Sequence, residues 1–239
     1  MHRLQNLELQ LAPKQIGTKN PDDVVICSAV RTPLTKAKKG LLKDTSPEYI
    51  LSYALRAACE RAKLDPKHVQ DIAVGNNLQP GGGEITSRMA QFLAGFPDTT
   101  SVMIVNRLCS SGLESCATIA SKIKMGVIDI GIGSGVESMS MYDMNSSVNV
   151  EKISEAVFEH EQARNCLMGM GETSENVAEK YGIGRDKQDQ MAVESHAKAY
   201  RAQQQGLFDS EIVPVKTTVL DKDGNSKEVT VTKDDGIRQ

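Results

Sequence analysis

A chain of 239 residues with 39% hydrophobic residues, no tryptophan and a formal net charge of −3 is long enough to bury a core as one large or two small domains. Its lysines and arginines form no basic stripe, which argues against nucleic acid or an anionic membrane as a partner. The five cysteines, Cys27, Cys59, Cys109, Cys116 and Cys166, are odd in number and show neither C-x-x-C nor paired spacing, so no metal centre or disulfide framework is expected and a reducing compartment is.

Residues 1–20 are polar and hold no long apolar run, which excludes a secretory signal or a membrane span there. On a helix, Leu4, Leu7 and Leu11 would share one face, flanked by Arg3 and Gln10, and residues 13–21 read as a linker. Val24-Val25-Ile26-Cys27-Ser28-Ala29-Val30 is a continuous apolar run of strand length, predicting a strand buried on both faces. Thr45-Ser46-Pro47-Glu48 starts a helix that runs to about Lys63, with Ile50, Leu51, Ala54, Leu55 and Ala58 inward. Residues 71–76 form the next strand. The following Pro80-Gly81-Gly82-Gly83 lacks a Gly-Lys-Ser/Thr sequel and is no phosphate loop. It is expected to be a flexible entry to a helix over 84–95, set against the helix that follows Cys109.

Residues 102–105 are the third strand and 128–133 the fourth, and strands alternating with helices imply parallel α/β units. Between them, Asn106-Arg107-Leu108-Cys109-Ser110-Ser111-Gly112 leads into a small-residue helix closed by Gly126, expected to be packed on nearly all sides. Gly131, Gly133 and Gly135 predict a close backbone approach to that helix. Glu137, the one charge in that tight stretch, is expected to pair or cap within the fold rather than to tune the site. After Met141 the chain turns polar. A helix capped by Thr173 or Ser174 ends near Gly182, an amphipathic helix spans 186–205, and strands at 211–215 and 229–231 are joined across Asp223-Gly224.

A lone cysteine is ordinarily a small buried hydrophobe. Cys109, however, sits where a strand turns into a helix, and unpaired N–H groups and the helix dipole there favour a thiolate. A rigid thiolate shielded from water suits covalent acyl transfer.

The stretch Asn106-Arg107-x-Cys109-Ser110-Ser111-Gly112, with Gly135-Val136-Glu137-Ser138-Met139-Ser140 and Met170-Gly171-x-Thr173-Ser174-Glu175-Asn176-Val177-Ala178 in order behind it, resembles the thiolases, most closely the peroxisomal 3-ketoacyl-CoA thiolases. The resemblance implies an α/β, layered thiolase-type fold. The chain would supply its N-terminal half: a leader and linker at 1–21, an α/β domain at 22–140 and an inserted loop domain at 141–239, with the C-terminal domain absent.

The implied reaction is thiolytic cleavage of a 3-ketoacyl-CoA to acetyl-CoA and a shortened acyl-CoA in fatty-acid β-oxidation. Cys109 would be the nucleophile and its N–H an oxyanion donor, while Met170 would line the substrate pocket. Coenzyme A enters as a substrate, and no cofactor or metal is implied. Arg3-Leu4, five residues, then Gln10-Leu11 is similar to a type-2 peroxisomal targeting signal, which implies peroxisomal localisation and an import receptor as partner.

The family's Gly-His-Pro, Cys-x-Gly and Asn-Glu-Ala-Phe motifs do not occur in these 239 residues. Neither Cys116, seven residues along the same helix, nor Cys166 replaces the second cysteine, and none of the four histidines falls on a family catalytic position. The chain alone is therefore expected to be catalytically incomplete. Leu108 stands where the peroxisomal enzymes have glutamine, and Glu172 where an apolar or small residue is common. Besides a homodimer, the alternative is a non-catalytic subunit forming a mixed dimer with a full-length thiolase. A third reading is a condensing enzyme of the same superfamily.

Overall fold

The computed structural model describes residues 18–144, 148–221 and 223–238; Arg3, Leu4, Gln10 and Leu11 lie outside them. In chain order the elements are α1 (Pro47–Ala62), β1 (Asp71–Gly75), α2 (Glu84–Leu93), β2 (Ser101–Val105), α3 (Ser111–Lys124), β3 (Gly131–Gly135), α4 (Glu155–Glu159), α5 (Glu161–Asn165), α6 (Met170–Lys180), α7 (Arg185–Gln204), β4 (Val215–Leu220) and β5 (Ser226–Val231). The first three strands form a parallel sheet of order β2-β1-β3, with Gly75 level with Val105 on one side and with Gly135 on the other.

Side chains alternate across this sheet. Ile72, Val74, Val102, Ile104 and Ile132 pack on one face with Leu51, Leu55 and Cys59 of α1 and with Ala90, Ala94 and Phe96. Gly75, Gly131 and Gly133 face α3 on the other. Helix α2 therefore lies across the sheet from α3, and the expected contact between the two is not made. The cause is handedness: β1 to β2 steps one way along the sheet and β2 to β3 steps back past β1, so right-handed crossovers place the two helices on opposite faces.

The close approach expected at the glycines is present. A Cβ on Gly133 would lie 2.6 Å from Cys116 Cα, one on Gly131 2.9 Å from Ile119 Cγ2, and one on Gly75 2.5 Å from the Ser111 carbonyl carbon. Ser115 Oγ donates to Ser134 O across the same contact at 2.7 Å, and Lys122 pairs with buried Asp71 beneath the helix. The all-round burial expected of α3 is not found. Only Ser111, Ser115 and Ile119 are buried, while Cys116 and Ala117 are exposed and Leu113 is 76% exposed. One face rests on the sheet, and the other is largely open, with Asp22 held by Lys124 near its end.

Residues 24–30 also depart from expectation: they belong to no strand, and Ile26 is 86% exposed. An apolar run reports a capacity for burial, not the presence of a ladder partner, and among the described residues the bridge beside this one joins Arg31 to Ile212. Strand β3 begins at Gly131 rather than at 128, because Gln70 Oε1 takes the N–H groups of Asp129 and Ile130.

Beyond residue 141, β4 and β5 form an antiparallel hairpin whose Val215 and Val231 pack with Leu42, Ile50 and Tyr53 against α1. The first of these strands starts at Val215 and not at 211. Glu211 and Val213 pair instead with the Arg31 backbone, and Pro214 has no N–H to give. Helix α6 starts earlier than expected, with Gly169 as N-cap; Thr173 lies inside it, its hydroxyl bonded back to Gly169 O. Helix α7 has no buried residue, so its amphipathic face is only partly covered.

Arg31 clasps the two ends of this region. Its guanidinium holds Asp234 through two bonds of 2.7 and 2.9 Å and Glu211 through one of 2.6 Å, and it stacks over Phe208. Burial pushes the Asp234 carboxyl up, but the Arg31 bonds and the Leu34 N–H outweigh it and leave it below its ordinary 3.8. Arg31→Ala strands that carboxylate, which is only 10% exposed, and should cost about 2 kcal/mol, less than a fully buried pair because Arg31 keeps some solvent. A carboxyl depressed in the folded state stabilises fully above its unfolded value and loses this as pH falls through its folded value. Urea midpoints of wild type and variant should therefore differ at pH 7 and draw together as pH falls from the carboxyl's ordinary 3.8 through its lower folded value.

Candidate active site

The C-terminal ends of parallel strands are where α/β sheets commonly hold ligands. Here three such ends are tied together by Asn76, which is 1% exposed. Its N–H donates to Val105 O at 3.1 Å, its Nδ2 to Val136 O at 2.6 Å, and its Oδ1 accepts from Gln79 N at 3.0 Å. The strand-to-helix turn that carries Cys109 starts from this edge.

The turn is built by its own polar side chains. Asn106 Oδ1 accepts the Leu108 N–H at 3.0 Å. Buried Ser111 accepts from Arg107 N at 2.9 Å and donates to Leu108 O at 2.6 Å. Ser110, the N-cap of α3, makes no side-chain cap, its hydroxyl donating instead to Arg107 O at 2.9 Å. The corner is sharp enough to hold Leu108 at φ +50°, a left-handed conformation costly for a side chain with a Cβ. Cys109 follows at once and is exposed, one residue ahead of the N-cap.

Leu108 is 68% exposed, so its place in the turn is a matter of backbone rather than packing. Leu108→Ile, which adds a β-branch at positive φ, should lower stability by about 1 kcal/mol; a urea titration checks this.

Glu137 is partnered as expected. Its carboxylate accepts from Asn77 N at 3.0 Å, Leu78 N at 3.2 Å and Asn76 Nδ2 at 3.4 Å, closing the loop after β1. Sequence reasoning assigned no role to Gly75, Asn76, Asn106 or Ser111. The legible signal was an asparagine directly after each of two strand ends, where a side chain can replace lost ladder partners.

Met170 is the first residue of α6 and is 57% exposed. Its helix makes no extensive packing with α3, so the structure does not assemble Met170 and Cys109 into one walled pocket. His160 Nδ1 accepts from Ala163 N, and His196 Nδ1 accepts from Arg238 N. Among the described residues no histidine hydrogen-bonds Cys109. Nor do they contain a cluster of three or more His, Cys, Asp or Glu able to hold a metal ion, or a helix long and apolar enough to cross a membrane. What the arrangement offers is an exposed sulfur on a constrained corner, at a helix start that no side chain caps, where an anion or an incoming carbonyl oxygen meets N–H groups.

The family described as "Thiolase, N-terminal domain" matches residues 24–239. A peroxisomal 3-ketoacyl-CoA thiolase of Yarrowia lipolytica is 50% identical over 245 residues, covering 100% of this chain and 58% of that protein. Among solved structures, the dimeric peroxisomal thiolase of Saccharomyces cerevisiae superposes with a TM-score of 0.82 at 38% identity, over 93% of this chain and 56% of that one. A second structure of the yeast enzyme, described as five-layered and built from two core domains of identical topology, gives 0.75 at 36%, over 93% and 58%. The chain thus spans between about half and three fifths of the length of the relatives it matches.

Proposed function

The chain belongs to the thiolase family and has its layered α/β fold, and from that premise we propose that it carries the nucleophile-bearing part of a peroxisomal 3-ketoacyl-CoA thiolase. The observation that carries the proposal is the placing of Cys109, exposed on a constrained corner at the C-terminal edge of the parallel sheet.

In the reaction, the Cys109 thiolate attacks the 3-keto carbon and the C2–C3 bond breaks. The electron pair leaves with acetyl-CoA, which takes up a proton at C2, and the acyl chain stays on sulfur as a thioester. The thiol of coenzyme A then attacks that thioester, forms the shortened acyl-CoA and returns Cys109. Exchange of one thioester for another is nearly isoenergetic, which suits a sulfur nucleophile. The base and proton donor are the ones the family's Gly-His-Pro and Cys-x-Gly motifs supply, and Met170 is assigned to the lining of the acyl-CoA path. Coenzyme A is a substrate here, with no resident cofactor.

Residues 3–11 serve as the leader read by an import receptor, and the working compartment is the peroxisome, as in the names of the relatives. The homodimer face is the edge of β2, unpaired among the described residues, together with Ile85, Met89 and Phe92 of α2, which are 49–66% exposed beside Val102. An unpaired edge and an apolar stripe invite a second copy.

The open face of α3 and the exposed run at 24–26 favour a second reading, a subunit that docks on a full-length thiolase as a mixed dimer. The test is thiolysis by the protein in its native full-length form. Coenzyme-A-dependent loss of a 3-ketoacyl-CoA with matching release of acetyl-CoA is the expected result. A native protein that transfers no acyl group but co-purifies with a full-length thiolase would favour the second reading instead.

A further inference from the structure

Cys109 and Glu137 stand 28 residues apart, yet one peptide joins their surroundings. The Glu137 carboxylate accepts the N–H groups of Asn77 and Leu78 at 3.0 and 3.2 Å. The carbonyl of Asn77 in turn accepts Asn106 Nδ2 at 3.3 Å, and Asn106 Oδ1 accepts the N–H of Leu108, the residue held at φ +50° directly before Cys109. The Asn106 amide is used at both ends, toward one acceptor and one donor, so its orientation is fixed. Asn76 braces the same loop from below, buried and bonded to Val136 O. Three strand ends thus converge on one turn, and the polar chain runs from the end of β3, through the loop after β1, to the end of β2.

We propose that Asn106 and Glu137 are positioning residues: acting in series through the Asn77 peptide, they hold the left-handed turn that presents the Cys109 sulfur at the start of α3. The inference rests on Cys109 being the nucleophile. A carboxylate that acted through its charge would have the opposite signature, because neutralising it would speed reaction at a nearby thiolate, whereas loosening the turn slows it.

The experiment is alkylation of the whole chain by iodoacetamide at fixed pH, with each cysteine followed by peptide mass spectrometry. Two other cysteines serve as internal references. Cys116 is exposed, two turns further along the same helix. Cys59 is buried, its thiol pushed up to about 11 by burial, with Asp65 and Glu60 adding to the shift, so it stays unreactive while the fold holds.

In the wild type Cys109 should react faster than Cys116. Asn106→Ala should slow Cys109 roughly tenfold, toward the Cys116 rate, as expected for loss of about one good hydrogen bond. Glu137→Gln, which keeps one acceptor oxygen, should slow it about threefold. The double variant should be no slower than Asn106→Ala alone, because the two act in series.

Unchanged Cys109 rates in both variants, a faster rate in Glu137→Gln, or effects that multiply in the double variant would each overturn the proposal while leaving the nucleophile in place. A wild-type Cys109 no faster than Cys116 would overturn the nucleophile reading and the proposal with it. If Asn106→Ala makes Cys59 reactive, the fold has been lost in that variant, and the direction of the Glu137→Gln effect decides.

Discussion

Gly133→Val is expected to leave a protein that no longer melts cooperatively near the wild-type midpoint. The backbone of α3 rests so close on β3 that a Cβ at residue 133 would stand 2.6 Å from Cys116 Cα and 2.8 Å from Cys116 N. Those atoms belong to a helix backbone and cannot swing aside as a side-chain tip would. The whole of α3 must lift, and in lifting it gives up the Ser115–Ser134 bond and the equally tight seat of Ser111 on Gly75. Overpacking of this kind costs about 3 kcal/mol or more, a large part of the stability of an ordinary domain. Gly171→Ala is the contrasting case. It sits in helix α6 with open space around it and no positive φ, and should gain about 0.5–1 kcal/mol. Thermal melts followed by circular dichroism separate the two.

Cys109→Ala should abolish acyl transfer and leave the fold alone. Removing a nucleophile that forms a covalent intermediate costs at least ~10⁴-fold in turnover, since water and the remaining groups offer no equivalent path. The sulfur is exposed, so its loss opens no cavity, and the melting midpoint should stay within about 0.5 kcal/mol of wild type. Cys116→Ala is the control. It is exposed on the same helix but lies beyond the turn, and its turnover should match wild type.

The parts of this fold that the sequence made legible are those with strong local punctuation. Pro47 at the first turn of α1 and the short apolar runs of β1 and β2 each name their own element. The glycines at 131 and 133 announced a close approach because glycine in a strand has few other uses, and Glu137 announced a partner because a charge in a tight stretch needs one. What stayed hidden is set by neighbours distant in sequence. Whether residues 24–30 join a ladder depends on a strand beside them, not on their own hydrophobicity. The face on which α2 packs follows from the strand order, which no single segment encodes. Asn106 could be read as a turn residue, but its bond to Asn77 O appears only when β1 and β2 lie side by side.

The central claim is that Cys109 carries the acyl group. The most direct measurement is intact-mass and peptide-mapped mass spectrometry of the native protein quenched after exposure to a 3-ketoacyl-CoA without free coenzyme A. A single acyl adduct on the peptide containing Cys109, discharged on adding coenzyme A, is the predicted result. An adduct on Cys116 or Cys166 with Cys109 left unmodified would contradict it.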